Sequence, residues 1–253
     1  MHFEKSGPKA SEHILLLHGW GSSAELMRPL ARLLEDRFFI VNADLPGHGQ
    51  TPPPDVGWGV PEYAESVAQL IKSDMHGPVT IIGHSNGGRI GLFMASHPAY
   101  QELIRRLILI SPSGMRPARS WKYYSRRGLA STLKAPFLLL PGQLKERGLH
   151  WLRESAIWRS LGSSDYKALS GVMRETFVKT VTTHLDGVVH KVAVPTLVLR
   201  GSRDEDVGRD QVDRLVELVP DAGLVELEGA GHYGYLDDPE TVKAAIQYFM
   251  EHS

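Results

Sequence analysis

The chain has 253 residues, which fits one domain with an insertion better than two independent domains. Hydrophobic residues make up 42% and charged residues 23%, the balance of a globular protein that buries a large core. A formal net charge of −1 argues against nucleic acid as a partner, and the lack of Cys excludes disulfides, thiol nucleophiles and thiolate metal sites.

Neither a targeting segment nor a membrane span is expected. Residues 1–5 lack the basic stretch that, followed by an apolar one, marks a secretory signal, so a cytoplasmic location is predicted. The most apolar stretch, residues 135–141, is much shorter than the about 20 residues that cross a bilayer. We therefore predict no transmembrane segment.

Short apolar runs, rich in Ile, Leu and Val, alternate with helical patterns along most of the chain. The runs that predict strands are residues 13–17, 38–43, 79–82, 107–110, 196–199 and 224–227. The patterns that predict helices are residues 24–35, 61–73, 87–96, 211–218 and 239–250. Because the strand runs are nearly continuously apolar, helices are expected on both faces of the sheet. The sequence thus predicts an α/β protein with a mostly parallel central sheet flanked by helices.

Residues 112–191 break this alternation and predict an inserted helical lid, which leaves residues 1–111 and 192–253 as the core domain. Residues 165–185 have apolar side chains at helical spacing, so we expect a helix there. The lid holds 14 Lys and Arg against 5 Asp and Glu, whereas the core holds 14 against 24.

One segment of the lid combines cations with aromatic side chains. These residues are Arg116, Arg119, Trp121, Lys122, Tyr123, Tyr124, Arg126 and Arg127. The segment either attracts an anionic substrate or forms a solvated helix face opposite the acidic core, and the sequence leaves both interpretations open. Apolar side chains of the lid likewise either line an acyl pocket or pack the lid onto the core.

The motif Gly83-His84-Ser85-Asn86-Gly87 directly follows a predicted strand and directly precedes a predicted helix. In such a strand–turn–helix elbow the Ser has a strained backbone, and the glycines allow neighbouring backbone to approach closely. The N-terminus of the helix also favours a developing negative charge. The motif predicts that Ser85 is a nucleophile.

A Ser hydroxyl needs a base to take its proton and an acid to orient that base. His232 follows the predicted strand at 224–227, and Asp204 follows the one at 196–199. Both lie past C-terminal ends of strands, where ligand sites of open parallel sheets gather. We predict a triad of Ser85, His232 and Asp204, with Asp206 as the rival acid. The other histidines weighed as bases are less favoured: His18, His48, His84, His184 and His190.

Five motifs resemble those of the α/β-hydrolase superfamily, over nearly the full length and with the lid included. They are residues 18–21 (HGWG), 44–49 (DLPGHG), 83–88 (GHSNGG), 201–204 (GSRD) and 229–232 (GAGH). The resemblance implies an oxyanion hole formed by the backbone N–H groups of Trp20 and Asn86. Its spacing of Gly and Asp selects Asp204 over Asp206. We expect no cofactor and no metal site, since no His-Glu-x-x-His pattern occurs.

The leading hypothesis is a serine hydrolase that cleaves a carboxylic ester through an acyl-enzyme, with a small-molecule substrate that is anionic or bears an acyl chain. By family likeness, Ser at the nucleophile position disfavours dehalogenase and epoxide hydrolase activities. A thioesterase, a lactonase, a C–C bond hydrolase and a lyase similar to the menaquinone-pathway member remain open, the last because of Gly87-Gly88-Arg89. A ligand-binding receptor with incidental turnover is the non-enzyme alternative. The sequence makes no prediction of oligomeric state.

Overall fold

A computed structural model describes residues 1–117 and 171–253, together with residues 136, 141, 142, 144, 147 and 169. The described residues form one seven-stranded sheet in the order β1-β3-β2-β4-β5-β6-β7. The strands are β1 (Phe3–Ser6), β2 (His13–Leu17), β3 (Phe39–Ala43), β4 (Val79–His84), β5 (Ile104–Ile110), β6 (Thr196–Gly201) and β7 (Ala222–Leu227). Only β1 is antiparallel to its neighbour. The mostly parallel sheet is confirmed.

Helices flank the sheet in the described part of the chain. They are α1 (Ala24–Leu34), α2 (Val60–Asp74), α3 (Asn86–Ser96), α4 (Gly171–Thr182), α5 (Arg209–Leu218), α6 (Gly234–Asp237) and α7 (Pro239–His252), with 3₁₀ turns at Gln101–Leu103 and Val189–Lys191. All five predicted core helices are present, with ends within two residues of those expected.

Alternate side chains of each strand enter cores on opposite faces of the sheet. In β2, Leu15 and Leu17 pack with helices α2, α3 and α5, whereas Ile14 and Leu16 pack with α1 and α7. All four side chains are fully buried. Helical cover on both faces therefore explains why the strand runs are continuously apolar.

The structure differs from the sequence-based expectation by more than two residues at two strands. Strand β1 was not expected, because the sequence FEKS has a single apolar side chain; it pairs with β3 at the edge of the sheet, where polar side chains reach solvent. Strand β5 begins three residues earlier than expected. Arg105 and Arg106 interrupt its apolar run, and both lie within 4 Å of the Glu12 carboxylate.

Helix α4 is the described part of the predicted lid helix, and it is shorter than expected. It begins at Gly171, whose φ of 53° lies in the left-handed region, and Leu169 is outside the helix. It ends at Thr182 rather than near Leu185. Most of the basic segment, including Arg119, lies outside the described residues, as do residues 165–168. No helix in the described part of the chain is long and apolar enough to cross a membrane.

Candidate active site

Ser85 lies at the sharp turn between β4 and α3. Its backbone angles, φ 48° and ψ −108°, form a combination that residues other than glycine rarely adopt. Its N–H donates to the carbonyl of Ile110 at 3.0 Å, and its carbonyl accepts from Ser113 N–H at 3.1 Å. Ile110 is the last residue of β5 and Ser113 lies in the loop that follows it, so the neighbouring strand and its loop hold the strained turn in place.

Two glycines of the elbow allow the backbone approach that the motif predicts. A Cβ atom added to Gly87 would lie 2.1 Å from the carbonyl oxygen of Leu17, and one added to Gly83 would lie 2.5 Å from Gly88 N. Since real Cβ atoms do not come so close, any larger residue would push α3 away from β2 or β4. The glycines thus set the height of Ser85 above the sheet.

Asp204 and His232 form a hydrogen-bonded pair at the C-terminal ends of β6 and β7. His232 Nδ1 lies 3.1 Å from both carboxylate oxygens of Asp204. Asp204 also accepts the N–H groups of Asp206 and Val207 at 2.9 and 3.0 Å. Because a carboxylate only accepts, Nδ1 of His232 carries the hydrogen and Nε2 has a lone pair for a proton.

The pKa of Asp204 is consistent with a permanent carboxylate. Burial alone would raise this pKa, but the hydrogen bond to His232 and the Val207 N–H outweigh burial and lower the pKa to about 2. The hydroxyl of Ser111 acts in the same direction. Asp204 therefore stays charged at neutral pH beside the imidazole.

Asp206, the rival acid, is less well placed. Its nearest carboxylate oxygen is 4.0 Å from His232 Nδ1, and its side chain is 75% exposed. Asp204, by contrast, has a fully buried side chain. Asp204, Asp206 and His232 are also the one group in the described part of the chain whose donor atoms lie close enough together to hold a metal. A metal there would have to displace the bond between Asp204 and His232.

The expected oxyanion-hole residues belong to two chain segments that meet at Ser85. Asn86 is the first residue of α3, where backbone N–H groups have no partner within the helix. Trp20 follows Gly19 in the loop after β2, and a Cβ added to Gly19 would lie 3.2 Å from Ser85 Cβ. Asn86 therefore directly follows Ser85, and Trp20 directly follows a glycine whose backbone borders Ser85.

Two other histidines of the motifs are buried and neutral. Burial lowers the pKa of His18 to about 4. Its Nε2 accepts Leu45 N–H at 3.0 Å, so Nδ1 is the atom that donates to the Gly19 carbonyl at 2.7 Å. Burial also lowers the pKa of His84, to about 3. His18 thus fixes the loop that carries Trp20 rather than acting as a base.

The DLPGHG motif supports the loops around the site. Asp44 accepts the N–H of Ala24, the first residue of α1, at 2.7 Å and the N–H of Gln50 at 2.9 Å. Burial would raise the pKa of Asp44, but these bonds outweigh it and the pKa is lowered. Asp44 therefore ties the loop after β2 to the loop after β3.

Helix α4 packs against the loops that carry the site. The ring of Phe177 meets that of Trp20 edge-on, with centroids 5.1 Å apart. The Thr176 hydroxyl accepts Trp58 N–H at 3.0 Å, and Lys179 donates to the Gly57 carbonyl at 2.7 Å. The described part of the predicted lid is thus joined to the core next to Trp20.

One strained residue at the site, Ser111, was not predicted from the sequence. Ser111, directly after β5, is fully buried and has a φ of 47°. A non-glycine residue with such a φ has no signature in the sequence, because Ser occurs in turns of every kind. The only available signal was its position after a strand, which it shares with Asp204 and His232.

The chain is similar to known hydrolases over most of its length. The alpha/beta hydrolase family model matches residues 14–245. The chain is 27% identical over 246 residues to 2-(acetamidomethylene)succinate hydrolase of Mesorhizobium japonicum, covering 94% of this chain and 87% of that protein. It is 26% identical over 252 residues to pimeloyl-(acyl-carrier protein) methyl ester esterase of Aeromonas hydrophila, covering 94% of each. The solved enol-lactonase from Burkholderia xenovorans superposes with a TM-score of 0.72 at 20% identity, covering 99% of this chain and 96% of that one.

Proposed function

Because the chain belongs to the alpha/beta hydrolase family, we propose that it is a serine hydrolase that cleaves a carboxylic ester. Ser85 is the nucleophile, His232 the general base and acid, and Asp204 the acid that orients it. The observation that carries this proposal is the hydrogen bond between the buried carboxylate of Asp204 and Nδ1 of His232, which leaves Nε2 of His232 able to accept a proton.

The reaction has two halves that use the same groups. Ser85 Oγ attacks the ester carbonyl while its proton passes to Nε2 of His232, and the oxyanion is stabilised by the N–H groups of Trp20 and Asn86. The C–O bond then breaks, and the alcohol leaves with the proton from His232. Water next attacks the acyl carbonyl and gives a proton to Nε2 of His232. The bond between the acyl carbon and Ser85 Oγ then breaks, His232 returns the proton to Oγ, and the carboxylic acid leaves.

The choice of an ester as substrate rests on chemistry shared with relatives. One relative is named for a methyl ester, and the similar solved structure is named for an enol-lactone, which is a cyclic ester. A small or medium acyl chain fits the predicted lid. Thioester cleavage, C–C bond hydrolysis and a lyase reaction use the same triad, so they are separated by substrate and not by site. Cytoplasmic location stays a prediction.

The test compares the wild type with Ser85→Ala on p-nitrophenyl acetate and butyrate. We expect the substitution to lower kcat/KM by about 10³-fold or more, because it removes the nucleophile. Ser73→Ala, at the far end of α2, is the matched control and should retain the wild-type rate. A wild-type rate no higher than that of Ser85→Ala would contradict the enzyme proposal and favour a receptor.

Covalent labelling and a substrate panel complete this test. A fluorophosphonate should modify the wild type at Ser85, located by peptide mass spectrometry, and should leave Ser85→Ala unmodified. Acyl esters, acyl-CoA thioesters and dienoic acids with a cleavable C–C bond are then compared by kcat/KM. Labelling at another residue would overturn the triad, whereas faster turnover of a thioester would change only the substrate class.

A further inference from the structure

His84 links the nucleophile to the base although the mechanism above does not use it. It directly precedes Ser85 in the chain and is 1% exposed. Its Nε2 lies 3.0 Å from the backbone carbonyl oxygen of His232, a residue 148 positions away. Because a carbonyl oxygen can only accept, Nε2 of His84 carries the hydrogen and donates it.

The imidazole of His84 is held in this one state. Burial, with a smaller contribution from nearby His232, lowers its pKa to about 3, so it is neutral at physiological pH. With its single hydrogen on Nε2, it donates toward His232 and has no charge to disturb the triad. The rings of His84 and His232 also pack together, with centroids 4.8 Å apart.

The triad bonds alone do not determine how far His232 lies from Ser85. The Asp204 carboxylate orients the ring of His232 at Nδ1, but Asp204 belongs to the loop after β6 and Ser85 to the turn after β4. The link through His84 joins the backbone of His232 directly to the residue beside Ser85. It therefore acts on the separation between nucleophile and base, to which proton transfer is sensitive.

We propose that His84 is a positioning residue that holds the backbone of His232 at the distance from Ser85 that proton transfer requires. This inference rests on the proposed function. In this proposal the hydrogen bond from Nε2 of His84, and not the bulk of its ring, positions His232. A side chain that restores a donor at that point should restore activity.

Two substitutions of similar length separate the donor from the bulk. The amide nitrogen of Gln can reach the place of Nε2, whereas Met fills similar space without a donor. We expect His84→Met to lower kcat for p-nitrophenyl butyrate roughly tenfold to a hundredfold with KM little changed, because a small displacement of a catalytic group costs that much. His84→Gln should recover most of the rate. The rate at which a fluorophosphonate labels Ser85 should fall in His84→Met and recover in His84→Gln.

Thermal unfolding shows that each variant is folded before it is assayed. If His84→Met does not fold, His84→Asn replaces it, since its amide is too short to reach the carbonyl and should also be slow. A folded Met or Asn variant with the wild-type kcat overturns the inference, as does a folded Gln variant as slow as Met. Failure of the wild type itself to label or turn over overturns the proposed function and this inference with it.

Discussion

Asp204 and Asp206 are two residues apart and yet lie in very different surroundings. The first carboxylate is buried and accepts hydrogen bonds from His232 and from two backbone N–H groups. The second is three-quarters exposed and 4.0 Å from the same imidazole nitrogen. Exposed charges in water contribute little to the orientation of a neighbour, whereas a buried, hydrogen-bonded carboxylate fixes a tautomer.

The two acids should therefore respond differently to the same substitution. Asp204→Asn keeps the shape of the side chain but presents an amide to Nδ1, so we expect kcat to fall by about 10³- to 10⁴-fold. Asp206→Asn should stay within about threefold of the wild type, because its side chain is solvated. Ester turnover of the two purified variants is the measurement. Equal losses would mean that the carboxylates share the role.

At the scale of elements, helices α3 and α4 are joined through one buried side chain. Arg89, on α3, is 6% exposed and donates to the carbonyl of Thr180 at 2.5 Å. Thr180 lies in the last turn of α4, where carbonyl groups lack partners within the helix and the helix dipole favours a cation. Burial lowers the pKa of Arg89 to about 10, so it remains charged at neutral pH.

Removal of this guanidinium should loosen α4 without unfolding the core. In Arg89→Met the aliphatic stem remains but the charge-assisted bond is lost, and such bonds contribute about 1.5 to 3 kcal/mol. We expect amide hydrogen exchange across residues 171–182 to accelerate about tenfold or more, with exchange in β2 and β4 unchanged. Arg209→Met is the control, because the ion pairs of Arg209 are with Asp213 on α5 and Glu226 on β7 and do not involve α4. Unchanged exchange in α4 would show that its other contacts suffice.

At the scale of the whole molecule, several buried groups make stability depend on pH in the same direction. Burial holds the pKa of His18 at about 4 and of His84 at about 3, and it lowers that of His48. The pKa of a histidine in the unfolded chain is near 6.5. Below that pH the unfolded chain takes up a proton that the folded protein does not, so the stability of the folded protein is full above pH 6.5 and is lost as the pH falls. The lowered pKa values of Asp44 and Asp204 extend the loss to lower pH.

We therefore expect the free energy of unfolding to fall steadily between pH 6.5 and pH 4. Each fully buried histidine adds a slope of roughly 1 kcal/mol per pH unit in this window. Urea unfolding at pH 7, 6, 5 and 4.5 measures the slope, and His84→Gln should make it shallower, because one group no longer takes up a proton. A free energy that is constant from pH 7 to pH 4.5 would contradict this account.

The sequence alone was enough to predict the alternation of strands and helices, the elbow around Ser85 and the position of His232. These features depend on neighbouring residues: an apolar run, a Gly at fixed spacing, or a side chain just past a strand. Strand β1 escaped prediction because its four residues lack any such pattern and are ordered by pairing with β3.

Contacts between distant residues were decided by the tertiary structure. The bond from His84 to His232 spans 148 positions and that from Arg89 to Thr180 spans 91, and no local pattern encodes either. Burial is likewise a property of the folded chain, and it is burial that separates Asp204 from Asp206 and keeps His18 and His84 neutral. Side chains of the same type thus acquire different surroundings and roles, because each one's exposure to water is set by what folds around it.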